Sequence, residues 1–322
     1  MRNKRPLGML IGGIILVVGL VLVTFAIINL RRSDETELTK IVASNYIGYD
    51  IARAVTGKPE EVSMLLKPGA EMHSFEPTPE DILRIKNAEL FIYIGGESEE
   101  WIEEILKNNE IPSEKALRLM DLVELKDEET VEGMEEETSE EVNVEHEEYD
   151  EHIWTSPTNM RQLIDGVRMK LTMIDPATSK QYGMNASRYE SRFVDIDRKI
   201  REIVNSSNKD ELVFADRFPF RYFVDEYNIK YYAAFPGCAE QTEASASTIA
   251  FLIKKVKEDG IGVVLKTELT SDKLAKTISE ETGAKIMTLN AGHNISAEDF
   301  RKGVRYADIM EENVEVLKEA LK

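Results

Sequence analysis

The sequence predicts an α/β protein of two lobes, each a mainly parallel sheet flanked by helices, arranged around one long helix and preceded by a transmembrane segment. Three observations carry this expectation. Short apolar runs of strand length alternate with segments whose apolar residues recur every three or four positions, the pattern of parallel strands joined by crossover helices. The stretch from Ala177 to about Ser206 keeps helical spacing throughout. Pro6 to Leu30 is apolar and free of charge.

In chain order, Arg2, Lys4 and Arg5 precede the apolar stretch, and Arg31 and Arg32 close it. As a helix, its roughly 25 residues at about 1.5 Å each reach across a hydrocarbon core of about 30 Å. A cleaved signal peptide is the competing reading, but its apolar region is shorter, roughly 7 to 15 residues, and ends in a small-residue cleavage site. No such site follows Thr24 and Phe25, and no cysteine lies near enough to carry a lipid. The expectation is an uncleaved anchor with the basic tip inside and the rest of the chain outside, although Arg31 and Arg32 weaken the charge asymmetry.

Beyond the anchor, nearly all of the 322 residues remain for two lobes with separate cores. A net charge of -20 excludes nucleic acid as a partner, because its phosphates would be repelled. The single cysteine, Cys238, cannot form an internal disulfide, so packing alone must stabilise the domain.

Thr39 to Ser44 reads as a strand, followed by a helix over Ile47 to Thr56. Val62 to Leu66 is a second strand, running into the turn Lys67-Pro68-Gly69 that delivers the loop carrying His73. Pro79-Glu80-Asp81 starts a helix, since proline and acids favour a helix N-terminus. Leu90 to Ile94 is a strand ending at Gly95-Gly96, with an amphipathic helix over Trp101 to Leu106. The glycine pair with Glu97 makes no phosphate loop, because the rest of that pattern is missing. Between Asp121 and Glu151 acidic residues dominate and apolar periodicity disappears, which predicts a mobile acidic loop. The long helix over Ala177 to Ser206 presents Phe193, Ile196, Ile200 and Ile203 on one face. Strands over Leu212 to Ala215, Ile261 to Leu265 and Ile286 to Leu289 follow, with helices over Ser247 to Lys257, Ser271 to Thr282 and Tyr306 to Leu321.

Two of only four histidines stand in unusual segments: His73 opens His-Ser-Phe-Glu-Pro-Thr-Pro, and His152 lies in Asp-Glu-His-Ile-Trp-Thr-Ser-Pro. A neutral imidazole suits a borderline transition ion, and a proline just downstream stops a helix from running through the site. A lone histidine is more often a satisfied core or surface residue, so the spacing and order of the surrounding motifs decide.

Those motifs resemble the metal-binding, solute-binding proteins that feed zinc or manganese to ABC importers (cluster A-I). Pro68-Gly69-Ala70 leading to His73 and Glu76-Pro77-Thr78-Pro79 carries the resemblance, together with the segment from His152 to Pro157. It covers nearly the whole region after the anchor. After the cytoplasmic tip and anchor read from composition over 1–36, it implies 37–176 as a metal-binding lobe with the acidic loop 121–151, 177–208 as a rigid linking helix, and 209–322 as the second lobe. A stiff link implies limited tilting on metal binding. The implied partners are the metal ion, an ABC permease and the cytoplasmic membrane, and the implied activity is binding rather than catalysis.

The second lobe departs from the family. Members carry a third histidine after the first strand of this lobe, whereas counting back from Phe220 and Tyr222 puts Arg217 there, with Asp216 beside it. Arginine offers no lone pair and cannot be a ligand. An aspartate expected after the last core strand is Asn290 here, with His293 three residues on. The expected site is therefore His73, His152, Asp216 and His293, three nitrogens and a carboxylate for a four-coordinate zinc ion. Manganese, which accepts more oxygens, is the rival, and Glu240, Glu243 or the acidic loop with His146 are its further donors. Asp216 has a second reading, as the partner that neutralises Arg217, a task Glu243 could share. Cys238 reads first as a small buried apolar residue, and Trp154 and Phe75 as walls of the pocket. A hydrolase needs an open zinc position and a general base, and no further histidine stands ready as one. A surface adhesin is the third class, since some members of the superfamily are named as adhesins.

Overall fold

The computed structural model describes residues 40–134, 149–238 and 243–322. The anchor expected over 1–36, residues 135–148 of the acidic loop with His146, and Glu240 lie outside the described residues. Among the described residues, no helix is long and apolar enough to cross a membrane.

The first lobe runs β1 (Ile41–Ala43), α1 (Tyr46–Thr56), β2 (Val62–Met64), α2 (Pro79–Asn87), β3 (Leu90–Tyr93), α3 (Glu100–Asn108) and β4 (Ala116–Arg118). The helices α4 (Pro157–Ile174) and α5 (Ser179–Ser206) come next. The second lobe runs β5 (Glu211–Arg217), α6 (Arg221–Tyr227), β6 (Lys230–Phe235), α7 (Ala246–Glu258), β7 (Val263–Lys266), α8 (Lys273–Thr282), β8 (Lys285–Thr288), α9 (Ala297–Lys302) and α10 (Tyr306–Ala320).

The two sheets share one topology, β2-β1-β3-β4 and β6-β5-β7-β8, and every pairing is parallel. In each, the strand order reverses at the centre, between β1 and β3 and between β5 and β7. Ligand sites of open parallel sheets lie beyond the carboxyl ends of the strands at such switch points. Parallel strands flanked by helices are buried on both faces, which is why β1 and β3 are apolar at every position.

Local chemistry sets the boundaries. Asn45 caps α1 by accepting from the Gly48 N–H. Thr78 and Asp81 form a reciprocal capping box at the start of α2, with Pro79 in its first turn. Ser156 caps α4 by accepting from the Asn159 N–H, again with proline next, so the chain turns sharply just after His152. The elements α4, α6, β4, β6 and α9 were not among those expected from sequence.

The lobes share a core. Tyr189, Phe193, Ile196 and Ile200 of α5 are buried in one cluster with Ile51 and Val55 of α1 and Met310 and Val314 of α10. At its centre the fully buried Asp50 accepts from Arg53 Nε (2.9 Å), from the Tyr306 N–H (3.2 Å) and from the Tyr189 hydroxyl. Helices from both lobes are thus tied through one carboxylate, which favours small tilts over wide hinge opening.

The acidic segment departs from expectation at its edges. Asp127 bridges Tyr149 across the segment, Lys126 pairs with Asp225 (2.7 Å), and Arg221 pairs with Glu129 (3.4 Å). Met134 is buried. Both flanks of the segment therefore pack on the second lobe, because their few apolar and paired groups find partners there.

Candidate metal centre

Three loops converge between the lobes. The loop after β2 carries His73, the single turn before α4 carries His152, and the loop after β8 carries His293. Each offers a ring nitrogen, and the three nitrogens lie within 4.8 Å of one another. Ring centroids are 6.0 Å apart for His73 and His152, 5.7 Å for His73 and His293, and 4.8 Å for His152 and His293.

The loops are cross-pinned from opposite lobes. Asn294 Nδ2 donates to the Lys67 carbonyl (2.8 Å) and the Ala70 carbonyl (2.6 Å), holding the loop of His73. Trp154 Nε1 donates to the Ala291 carbonyl (2.7 Å), tying the turn of His152 to the loop of His293. That loop bends at Gly292, whose φ of 77° suits glycine and where a Cβ would meet the Tyr306 ring at 2.5 Å. Trp154 stands edge-on to both His152 (5.4 Å) and His293 (6.0 Å) as a wall. Phe75 packs instead against Trp101 (5.7 Å).

Each imidazole has a carboxylate at Nδ1. Glu151 Oε1 lies 3.3 Å from His73 Nδ1, Asp150 Oδ1 lies 3.0 Å from His152 Nδ1, and Glu268 Oε1 lies 3.2 Å from His293 Nδ1. Asp150 also accepts from the His152 N–H (2.8 Å), and Glu268 from the N–H groups of His293 (2.9 Å) and Ala291 (2.7 Å). The opposite nitrogen, Nε2, is buried without a hydrogen-bond partner on all three rings. At His152 and His293 the hydrogen bond between Nδ1 and its carboxylate sets the tautomer that leaves the Nε2 lone pair facing outward, as at histidine metal sites.

Burial, followed by the neighbouring His293, His152 and Arg217, pushes His73 down to about 2. Burial also lowers His152, against the pull of Asp150. These two rings are neutral at physiological pH, the form that binds metal. Burial pushes Glu151 up to about 8, although Ser98 donates to it from both its hydroxyl (2.8 Å) and its N–H (3.3 Å). Burial raises Glu268 too, but His293 and the backbone donors bring it below the usual carboxylate range.

Asp216 is not brought to the three histidines. Its Oδ2 accepts from the Thr267 N–H (3.0 Å), the Thr267 hydroxyl (2.7 Å) and the Thr270 hydroxyl, and its Oδ1 accepts from the Arg217 N–H (2.9 Å). With Oδ2 spent on the loop after β7 and Oδ1 on the Arg217 N–H, it acts as a brace for that loop. The guanidinium of Arg217 meets neither Asp216 nor Glu243 among the ion pairs described. It pairs across the lobes with Glu71 (3.2 Å). Asp150, Glu151, Glu268 and Glu71 were not expected to take part. For two of them the signal was in the sequence, since Asp150 and Glu151 stand directly before His152. Glu268 and Glu71 are far in sequence from the histidine and arginine they meet.

The family model for ZnuA, the periplasmic component A of zinc-uptake complexes, matches residues 41–320. The high-affinity zinc uptake system protein ZnuA of Bacillus subtilis is 30% identical over 284 residues, covering 87% of each chain. The crystal structure of the metal-dependent lipoprotein YcdH from Bacillus subtilis superimposes with a TM-score of 0.73 at 26% identity, covering 88% of this chain and 99% of that one. The Zn(II)-bound AdcA of Streptococcus pneumoniae superimposes with a TM-score of 0.71 at 26% identity over 87% of this chain, which spans 57% of that longer protein. With a family match over nearly all of its described residues and a centre of three facing histidines between two like-folded lobes, the chain belongs to the ZnuA family of zinc-uptake components.

Proposed function

We propose that this chain captures a divalent transition metal, zinc before manganese, outside the cytoplasm and delivers it to an ABC-type importer, with His73, His152 and His293 as the protein's ligands. The observation that carries the reading is the set of three buried, unpartnered Nε2 atoms, each on a ring backed by a carboxylate. Three nitrogens suit zinc, with bonds of about 2.0 to 2.1 Å and a fourth position for water, better than manganese, which prefers oxygen. Two nitrogens on one tetrahedral zinc ion lie roughly 3.3 Å apart. Rings whose nitrogens are within 4.8 Å therefore need only a small closure, in keeping with the interlobe tie at Asp50.

In this reading His293 supplies the nitrogen that the family takes from the position of Arg217, and Asp216 is left out because its oxygens are engaged. The family is a component of an uptake complex, so the open position serves release to the permease rather than hydrolysis. The apolar stretch from Pro6 to Leu30 would hold the protein at the membrane, with residues 37–176 and 209–322 as lobes outside it. The test is elemental analysis of the protein purified without added metal, then competition of zinc against manganese. One tightly held zinc per chain that excess manganese does not displace supports the reading. A chain that takes up neither ion, or keeps manganese against zinc, refutes it.

A further inference from the structure

Two further features adjoin the three-histidine centre. Cys238, Glu151 and His152 form a second group whose ligand atoms lie within 4.8 Å of one another. In that group Glu151 is wholly buried; its Oε2 is taken by Ser98, and its Oε1 faces His73 Nδ1 at 3.3 Å without meeting hydrogen-bond geometry. The second feature is a cavity of about 550 Å³ whose wall includes Glu97, Glu100, Glu103 and Glu128, with Arg118 as its cation, and Cys238. The Cys238 N–H donates to Glu128 Oε1 (2.9 Å), which seats the cysteine on that wall. Cys238 belongs to both features and is where they meet.

We propose that Glu151, His152 and Cys238 form a second, transient metal position, which holds zinc arriving through the acidic cavity before it passes to the three-histidine centre. This rests on zinc capture at His73, His152 and His293. The donor set is one sulfur, one nitrogen and one oxygen, a combination zinc accepts, with a zinc–sulfur bond of about 2.3 Å. Carboxylates lining a low-dielectric cavity raise the local cation concentration and the rate of capture. On binding, the thiol loses its proton to solvent as the zinc–sulfur bond forms. His152 is common to both donor sets, so the ion can exchange Cys238 and Glu151 for His73 and His293 without returning to water.

The experiment uses the full chain and three probes. In the double variant His73→Ala, His293→Ala the main centre is broken while the second group is kept. It should bind cobalt(II) with thiolate-to-metal charge-transfer absorption in the near ultraviolet, and adding Cys238→Ser should abolish that absorption. In the same double variant, cadmium should protect Cys238 from alkylation, a readout that needs no change at the cysteine itself. In the otherwise unaltered chain, Cys238→Ser should slow zinc capture and zinc release alike by about tenfold at low salt, since removing a way-station slows traffic in both directions. Absence of both the absorption and the protection overturns the site, and parent-like rates in the serine variant overturn its place on the route. A parent chain that binds zinc normally while these signals fail refutes this inference alone. A parent chain that binds no zinc refutes the functional reading beneath it.

Discussion

His293→Ala tests the substitution at the heart of the centre. The ring contributes one of three buried Nε2 atoms, and its side chain is 18% exposed, so the truncation removes a donor without gutting the core. Glu268 loses its Nδ1 contact but keeps the N–H groups of Ala291 and residue 293, so the loop retains its main brace. The stability loss should be modest, about 1 kcal/mol. Loss of a group that merely orients a metal ligand costs roughly 10- to 100-fold in affinity. Removing the ligand itself should cost at least about 100-fold, or about 2.8 kcal/mol at 1.4 kcal/mol per tenfold. Glu268→Gln keeps the shape behind the ring and loses the charge, so it should fall in the lower range. Affinities are measured by competition against a fluorescent zinc chelator, with His73→Ala and His152→Ala in parallel. Binding by His293→Ala within about threefold of the parent would refute the three-nitrogen centre.

Asp216→Asn should leave zinc affinity nearly unchanged and cost roughly 2 to 3 kcal/mol in urea unfolding, because an amide cannot accept all the donors now on that carboxylate. A large loss of zinc from the folded fraction would show that Asp216 is a ligand after all. Arg217→Gln removes a cation that faces the centre and should tighten zinc binding by on the order of 1 kcal/mol, read by the same chelator competition, with weaker binding as the contrary result. For the metal-free protein, the buried Glu151 is pushed up to about 8 from 4.5, so the folded state holds a proton that the unfolded chain loses. Its contribution is complete below pH 4.5 and is lost as pH rises through about 8. His73, pushed down to about 2 from 6.5, acts oppositely, its contribution being complete above 6.5 and lost as pH falls. Between pH 4.5 and 6.5 the two offset each other, and above 6.5 Glu151 acts alone of the pair. Raising pH from about 6.5 to 8 should therefore cost the parent roughly 2 kcal/mol more than Glu151→Gln, at about 1.4 kcal/mol per pH unit. Parallel unfolding curves for the two would contradict the assignment.

Much of the architecture was legible in the residues. The alternation of apolar runs and helical periods marks most strands and helices to within a few residues, because burial on both faces of a parallel sheet demands continuous apolar strands. The helix expected from Ala177 runs Ser179–Ser206. The helix Pro157–Ile174 also shows the period in Met160, Leu163, Ile164, Val167 and Leu171, with Ser156 and Pro157 marking its start. The strands Ala116–Arg118 and Lys230–Phe235 were harder to see, since the first is short and only half-buried and the second is mixed in polarity.

By itself, the sequence determined which segments fold, that the lobes are α/β, and that His73 and His152 stand in segments resembling the family's ligand segments, since those properties depend on neighbours along the chain. Only the tertiary structure decided the rest. It brought His293 to them across more than a hundred residues of chain, turned Asp216 toward Thr267 and Thr270, and gave Arg217 its partner in Glu71 from the other lobe. Whether a carboxylate binds a cation or braces a loop depends on which donors surround it in space. Those donors arrive from strands that are adjacent in the sheet and far apart in sequence.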